Sequence, residues 1–314
     1  MIEVDGLSKR YGNKTVVTGL TFTVPAGTVT GFLGPNGAGK STTMRMIAGL
    51  DRPTSGSVRI NGKRYRNAVA PMTELGILLE SRAVHSARSA VHHLLALAQT
   101  NGIGRRRVDE VLELVGLTHV AEHAAGALSL GMGQRLGIAA ALLGDPTTLT
   151  LDEPINGLDP EGIRWARTLL QQLAAEGRTV FVSSHVLSEM ALTAHRLIVI
   201  GRGRLIADTT VEDFIARAAP EHVLVRTPDG DRLAALLAGP QVRISGVGPD
   251  MLAVHGRGAE QIGELAWRNR IRIHELCVTR ISLEEAFLEM TRDSVEYRAP
   301  GDRVAMPIGV GAKW

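Results

Sequence analysis

Two clusters of residues in this sequence have the types and spacing of phosphate and water chemistry. The run Gly34-Pro35-Asn36-Gly37-Ala38-Gly39-Lys40-Ser41-Thr42 fits G-x-x-x-x-G-K-[ST] without exception. Glycines let successive backbone N–H groups wrap a polyphosphate, and a following helix turns its positive end toward it. In that setting Lys40 bridges the β- and γ-phosphates, and the Ser41 hydroxyl is a ligand for Mg²⁺. The second cluster, Leu149-Thr150-Leu151-Asp152-Glu153-Pro154, reads as a buried strand ending in two carboxylates. An Asp at the end of a parallel strand can hold Mg²⁺ opposite a phosphate loop, and Glu153 is then placed to polarise an attacking water. Alone, Asp-Glu-Pro is equally a helix entry with capping charges. Beside the phosphate loop, the chemical reading is the better one.

These groups need a strand and a helix to position them. Residues 28–33 are β-branched and run straight into the glycine loop, and residues 43–50 have helical composition. Residues 2–7 and 14–24 complete a β-rich start, and residues 57–60 and 74–79 read as further strands. From residue 89 to about 143 the pattern is helical, and strand and helix then alternate to residue 200. That order predicts a parallel core sheet with an inserted helical subdomain over about 82–145. Beyond Asp208 the order becomes strand, helix, strand, strand, helix, strand, the ferredoxin-like β-α-β-β-α-β sequence. A last helix begins at Ser282, with Glu285 three residues on as its capping partner. Residues 298–314, rich in Gly and Pro, read as a loose tail. The expected units are 1–215, 216–297 and that tail.

Composition narrows the function classes. The chain has 314 residues, 44% hydrophobic and 21% charged, which excludes global disorder. Aromatics at 4% argue against a base-stacking nucleic-acid surface. The formal charge is only +3, and the basic residues are 30 Arg and 5 Lys, so no nucleic-acid partner is expected. A single cysteine, Cys277, excludes an internal disulfide and a multi-cysteine metal site, and its apolar neighbours suggest a packed position. His85, His92 and His93 lack partners at metal-ligand spacing, and Arg105-Arg106-Arg107 reads as a solvated helix start. No run approaches the ~18–20 apolar residues that span a bilayer, and no signal peptide is read, so an intracellular chain is expected.

Four ordered motifs together resemble the nucleotide-binding domain of an ABC transporter, over residues 1 to about 215. Leu128-Ser129-Leu130-Gly131-Met132-Gly133-Gln134-Arg135 resembles the family's signature segment, 23 residues before Asp152. Asn156-Gly157-Leu158-Asp159 resembles its D-loop, and Ser183-Ser184-His185 carries its switch histidine. The resemblance implies a P-loop NTPase core of the α/β class with an N-terminal antiparallel β subdomain. It implies ATP and Mg²⁺ as cofactors, and two ATPase chains closing head to tail over two nucleotides. Ser129, Leu130, Gly131 and Met132 would then meet the ATP of the opposite subunit, and His185 would hold the γ-phosphate and Glu153. Tyr11 matches the aromatic that stacks on adenine; otherwise it is a strand tyrosine half-buried in the sheet.

Two positions depart from the family. Glu80 stands where its Q-loop has glutamine, either as a Mg²⁺ ligand or as a solvated loop charge. Leu130 stands where the signature usually has glycine, and either leaves the backbone approach at Gly131 intact or obstructs closure. Both departures resemble drug- and antibiotic-exporter subunits of actinobacteria, as does the segment Ser282-Leu283-Glu284-Glu285-Ala286-Phe287-Leu288. The resemblance therefore implies an ATPase that drives efflux of a drug-, antibiotic- or lipid-like compound through a membrane permease on a separate chain. It would sit peripherally on the cytoplasmic face of the cell membrane. The alternatives are a non-transport ATPase of the family, acting on ribosome or DNA, and an importer ATPase.

Overall fold

The computed structural model describes residues 1–80, 84–218, 222–279 and 281–291. Its centre is a six-stranded sheet in the order β5-β6-β7-β3-β8-β9. β3 (Thr28–Leu33), β5 (Leu75–Leu78), β6 (Thr148–Leu151), β7 (Thr179–Ser183) and β8 (Arg196–Gly201) are parallel. β9 (Arg204–Thr210) closes the edge antiparallel to β8. Strands β6 and β7 are buried along their whole length, as their unbroken apolar and threonine runs require of a sheet covered on both faces.

One face is covered by a three-stranded antiparallel sheet, β2-β1-β4, built from β1 (Ile2–Tyr11), β2 (Lys14–Val24) and β4 (Ser55–Ile60). Phe22 from that sheet meets Phe32 and Phe181 of the parallel sheet, with Phe32 and Phe181 ring centres 4.9 Å apart. Helix α1 (Lys40–Ile47) lies between the two sheets, burying Met44 and Ile47. The short α2 (Pro71–Glu74) leads into β5. The long helical stretch divides into α3 (Ala90–Thr100), α4 (Arg105–Leu114) and α5 (Leu130–Leu142), and α6 (Pro160–Ala175) and α7 (Leu187–Thr193) return to the central sheet. At the start of α4, Arg105 and Arg106 are exposed and pair with Asp109 and Glu110, whereas Arg107 is largely covered, pairing with Glu110 and Asp145 and donating to the Leu142 and Leu143 carbonyls at the end of α5.

The short α2, β9 and α8 (Val211–Ala218) went unread in the sequence. The α8 start is set by Thr210, whose Oγ1 accepts from the Asp213 N–H at 3.1 Å. Beyond it, β10 (His222–Arg226), α9 (Gly230–Leu237), β11 (Arg243–Gly248), β12 (Met251–His255), α10 (Ala259–Arg268) and β13 (Glu275–Thr279) follow the expected β-α-β-β-α-β order. Their sheet runs β11-β12-β10-β13, all antiparallel, which is the ferredoxin-like arrangement. Helices α9 and α10 cover one face, over Val223, Val225, Leu233, Val254 and Ile262. The opposite face is open. Cys277 lies on it and is exposed, so the packed position read from its apolar neighbours is corrected.

The final helix, α11 (Leu283–Thr291), has the expected reciprocal cap: Ser282 Oγ accepts from the Glu285 N–H at 3.1 Å, and the Ser282 N–H donates back to Glu285 at 2.8 Å. It does not cover the terminal sheet. Leu283 and Ala286 are buried with Met190, Val211 and Phe214 in the main core, and α11 packs on α7 and α8. The 298–314 tail lies outside the described residues. Among the described residues no helix is long and apolar enough to cross a membrane.

Candidate functional site

In a parallel sheet every strand delivers its C-terminal end to the same edge. Here that edge receives the glycine loop after β3, Ser183 to His185 at the end of β7, Asp152-Glu153 after β6 and Glu80 after β5. Because β7 lies between β3 and β6, the serine–histidine segment sits between the glycine loop and the two carboxylates.

The glycine loop is closely fitted. A side chain at Gly34 would come within 2.6 Å of the Ile200 carbonyl oxygen, and Gly39 has φ +101°, where only glycine is unstrained. Lys40, the first residue of α1, donates to the carbonyls of Gly34 and Pro35, the latter at 3.3 Å. Burial lowers the pKa of its ammonium, and the nearby Glu153 and Asp152 carboxylates partly offset this. Ser41 and Thr42 follow in the first helical turn. Tyr11 closes β1 and is 46% exposed. Its hydroxyl donates to Asp51 Oδ2 at 2.8 Å, and the Lys9 ammonium lies 4.7 Å from the ring centre. Partial burial and then the Asp51 contact push the phenol pKa up, while Thr42 and Arg45 oppose this. The exposed residue thus lies beside Thr42.

One hydroxyl that sequence reasoning passed over ties the Asp152 carboxylate to the Glu153 backbone. Ser183 Oγ donates to Asp152 Oδ1 and accepts from the Glu153 N–H at 3.0 Å. Glu153 itself has φ +52°, uncommon for a non-glycine residue and costing on the order of 1 kcal/mol. A second clamp holds it there: Gln134 Nε2 on α5 donates to its carbonyl at 2.9 Å. Its side chain then points to His185, with Nδ1 2.8 Å from Oε2, and the His185 N–H donates to the same oxygen at 3.2 Å. The strained backbone thus aims a carboxylate at the solvent-facing imidazole. Ser183 and Gln134 both stand inside the motifs already noted; the signal for Ser183 was a hydroxyl at the last position of a buried strand.

The signature residues lie at the start of α5, away from the chain's own glycine loop. Ser129 caps the helix, its Oγ accepting from the Met132 N–H at 3.2 Å. Leu130, Gly131 and Met132 form the first turn, and with Gly157, Leu158 and Asp159 they line an open cavity of about 600 Å³. Asp159 caps α6 by accepting from the Gly162 N–H at 2.8 Å. Glu80 is exposed at the mouth of β5. The structure therefore brings together Lys40, Asp152, Glu153, Ser183 and His185, and sets Ser129 to Met132 apart on an outward face.

Comparison with known proteins agrees with this geometry. Residues 17–156 match the family model described as ABC transporter, and residues 221–284 match a domain of unknown function. The chain is 38% identical to the ABC transporter ATP-binding protein YhcH of Bacillus subtilis, covering 94% of this chain and 97% of that protein. It is 35% identical to the bacitracin transport ATP-binding protein BcrA of Bacillus licheniformis, covering 92% and 97%. The dimeric structure of a bacterial ABC transporter cassette superposes with a TM-score of 0.62 at 26% identity, covering 67% of this chain and 98% of that one. The chain thus belongs to the ABC transporter family of ATP-binding proteins and is an ATPase.

Proposed function

We propose that this protein is the energy-coupling ATPase of an exporter, working as a head-to-tail pair on a permease carried by a separate chain at the cytoplasmic face of the membrane. The observation that carries the hydrolytic assignment is Glu153, held at φ +52° from both backbone sides with its carboxylate 2.8 Å from His185. A drug-, antibiotic- or lipid-like cargo is supported by the relative named for bacitracin transport, aligned over 92% of this chain. The division into an ATPase unit over 1–215 and an accessory unit over 216–297 belongs to the same reading, with α11 of the accessory span packed back on the ATPase unit.

In this mechanism the ATP phosphates take the place of the Gly34 and Pro35 carbonyls as acceptors for Lys40. The hydroxyl of Ser41 and the carboxylate of Asp152 form an all-oxygen donor set suited to Mg²⁺, with Asp152 already oriented by Ser183. Mg²⁺ bound there supplies compensation for the charge on the β- and γ-phosphates. Glu80, exposed at the same edge, is the further candidate ligand. Glu153 orients the attacking water and receives its proton at the carboxylate, while His185 keeps that carboxylate turned toward the γ-phosphate. Tyr11 offers its ring to the adenine. Ser129 to Met132 present a capped helix start to the nucleotide of the partner chain, a setting that suits an anion.

Glu153→Gln keeps the shape and removes the base. It is expected to bind ATP, to lower phosphate release by roughly 100-fold or more, and to accumulate an ATP-dependent dimer by size-exclusion chromatography. Hydrolysis at the wild-type rate would refute the assignment of Glu153.

A further inference from the structure

Leu130 is half exposed at the first position of α5, and its side chain is turned toward its own chain. A Cβ added to Gly157 would lie 2.3 Å from Leu130 Cδ2 and 2.4 Å from its Cγ, so the leucine branch rests on the Gly157 α-carbon. Gly157 has φ +73°, and the loop from Asn156 to Asp159 thus passes under Leu130 at its only glycine. The next residue continues the contact, since a Cβ on Gly131 would sit 3.1 Å from the Gly157 carbonyl oxygen. Leu130 is also the wall between two cavities: the one shared with Asp159 and a second, of about 380 Å³, that reaches Val84 and Ser86. One turn further along the same helix, Gln134 holds the Glu153 carbonyl.

We propose that Leu130 is a positioning residue for ATP turnover. By resting on Gly157 it locks the loop between Glu153 and Asp159 to the start of α5, so that the turn facing the partner's nucleotide and the chain's own catalytic carboxylate move as one body. Leucine in place of the usual glycine is then matched by Gly157 within the chain, and does not stand in the path of closure. The inference rests on the shared-nucleotide reading given above.

The test is steady-state phosphate release by the purified full-length chain, with kcat and KM for ATP separated. Leu130→Ala is expected to lower kcat about five-fold with KM changed less than about two-fold, because positioning of the loop is lost and ATP binding is not. Leu130→Met, of similar volume, recovers most of that loss. Gly157→Ala alone lowers kcat more than about ten-fold, since its methyl group collides with the leucine. The double variant Leu130→Ala, Gly157→Ala turns over faster than Gly157→Ala alone, because the collision is gone. A rise in kcat for Leu130→Ala marks the leucine as an obstacle and overturns the proposal, as does a double variant at the product of the two single losses. Glu153→Gln with and without Leu130→Ala separates the two levels. Absence of an ATP-dependent dimer in Glu153→Gln itself overturns the shared-nucleotide reading. A dimer lost only when Leu130 is also changed overturns the positioning role alone, since it makes Leu130 an interface residue.

Discussion

The two sheets that carry most of this chain alternate strand and helix alike, yet they gather residues differently. In the central sheet five parallel strands end on one edge, and each loop leaving that edge brings backbone N–H groups as well as side chains. The glycine loop, Asp152-Glu153 and His185 meet there. In β10 to β13 the strands alternate in direction, so each edge mixes starts with ends. What the register aligns is a row across the open face: Arg243 opposite His255, and His222 opposite both His255 and Thr279. The His222 and His255 rings are 4.9 Å apart. Strand direction, more than composition, decides which sheet can enclose a polyphosphate.

The largest expected effect tests the parallel edge. Lys40→Ala removes the one ammonium set among the Gly34 and Pro35 carbonyls and is expected to weaken ATP binding by roughly 100-fold or more, read by nucleotide titration. Unchanged affinity would mean that the loop backbone alone holds the phosphates.

Next comes the boundary between the two regions. Ala286 is fully buried against the ATPase core although it lies in the last helix, whereas Leu233 is fully buried in the β10–β13 unit. Ala286→Asp places an unpaired charge in the core, a loss of about 3–5 kcal/mol, and is expected to lower both the melting temperature and ATP turnover. Leu233→Ala costs about 2–5 kcal/mol within its own unit and leaves ATP turnover per folded molecule unchanged. Equal damage to turnover from both would erase the distinction between the regions.

The smallest effect is one of pH. Nδ1 of His93 on α3 is buried and has no hydrogen-bond partner among the described residues, and burial, aided by Arg88, holds its pKa below the ordinary histidine range. A histidine kept neutral by the fold contributes its full stability above the unfolded-state pKa. That contribution falls as pH drops through the ordinary histidine range toward the lower folded-state value. Between pH 7 and 5, His93→Leu should therefore lose less melting temperature than the wild type, by roughly 2 °C. An identical loss in both would remove His93 from the account.

Much of this was legible in contiguous residues. Gly34 to Thr42 and Leu149 to Pro154 announce their chemistry because a phosphate loop and a strand-end carboxylate are local devices, and the Ser282–Glu285 cap is local too. What escaped reading is contact across the chain. Ser183 binds groups about 30 residues away, and the leaning of Leu130 on Gly157 follows from how α5 meets the loop before α6. Cys277 was misread because an apolar run does not reveal which of its two faces is left uncovered. The α8 start did carry a readable sign, Thr210 followed three residues later by Asp213, but β9 before it is an exposed edge strand of mixed composition.

The return of α11 to the main core has a consequence for synthesis. Phe214 and Met190 leave the ribosome long before Leu283 and Ala286, so the nascent ATPase core carries an uncovered apolar seam while β10 to β13 are being made. A chain cut short between β10 and the last helix keeps Lys40, Asp152, Glu153 and His185 and still exposes that seam. Incomplete copies of that length are therefore expected to aggregate more readily than the full chain.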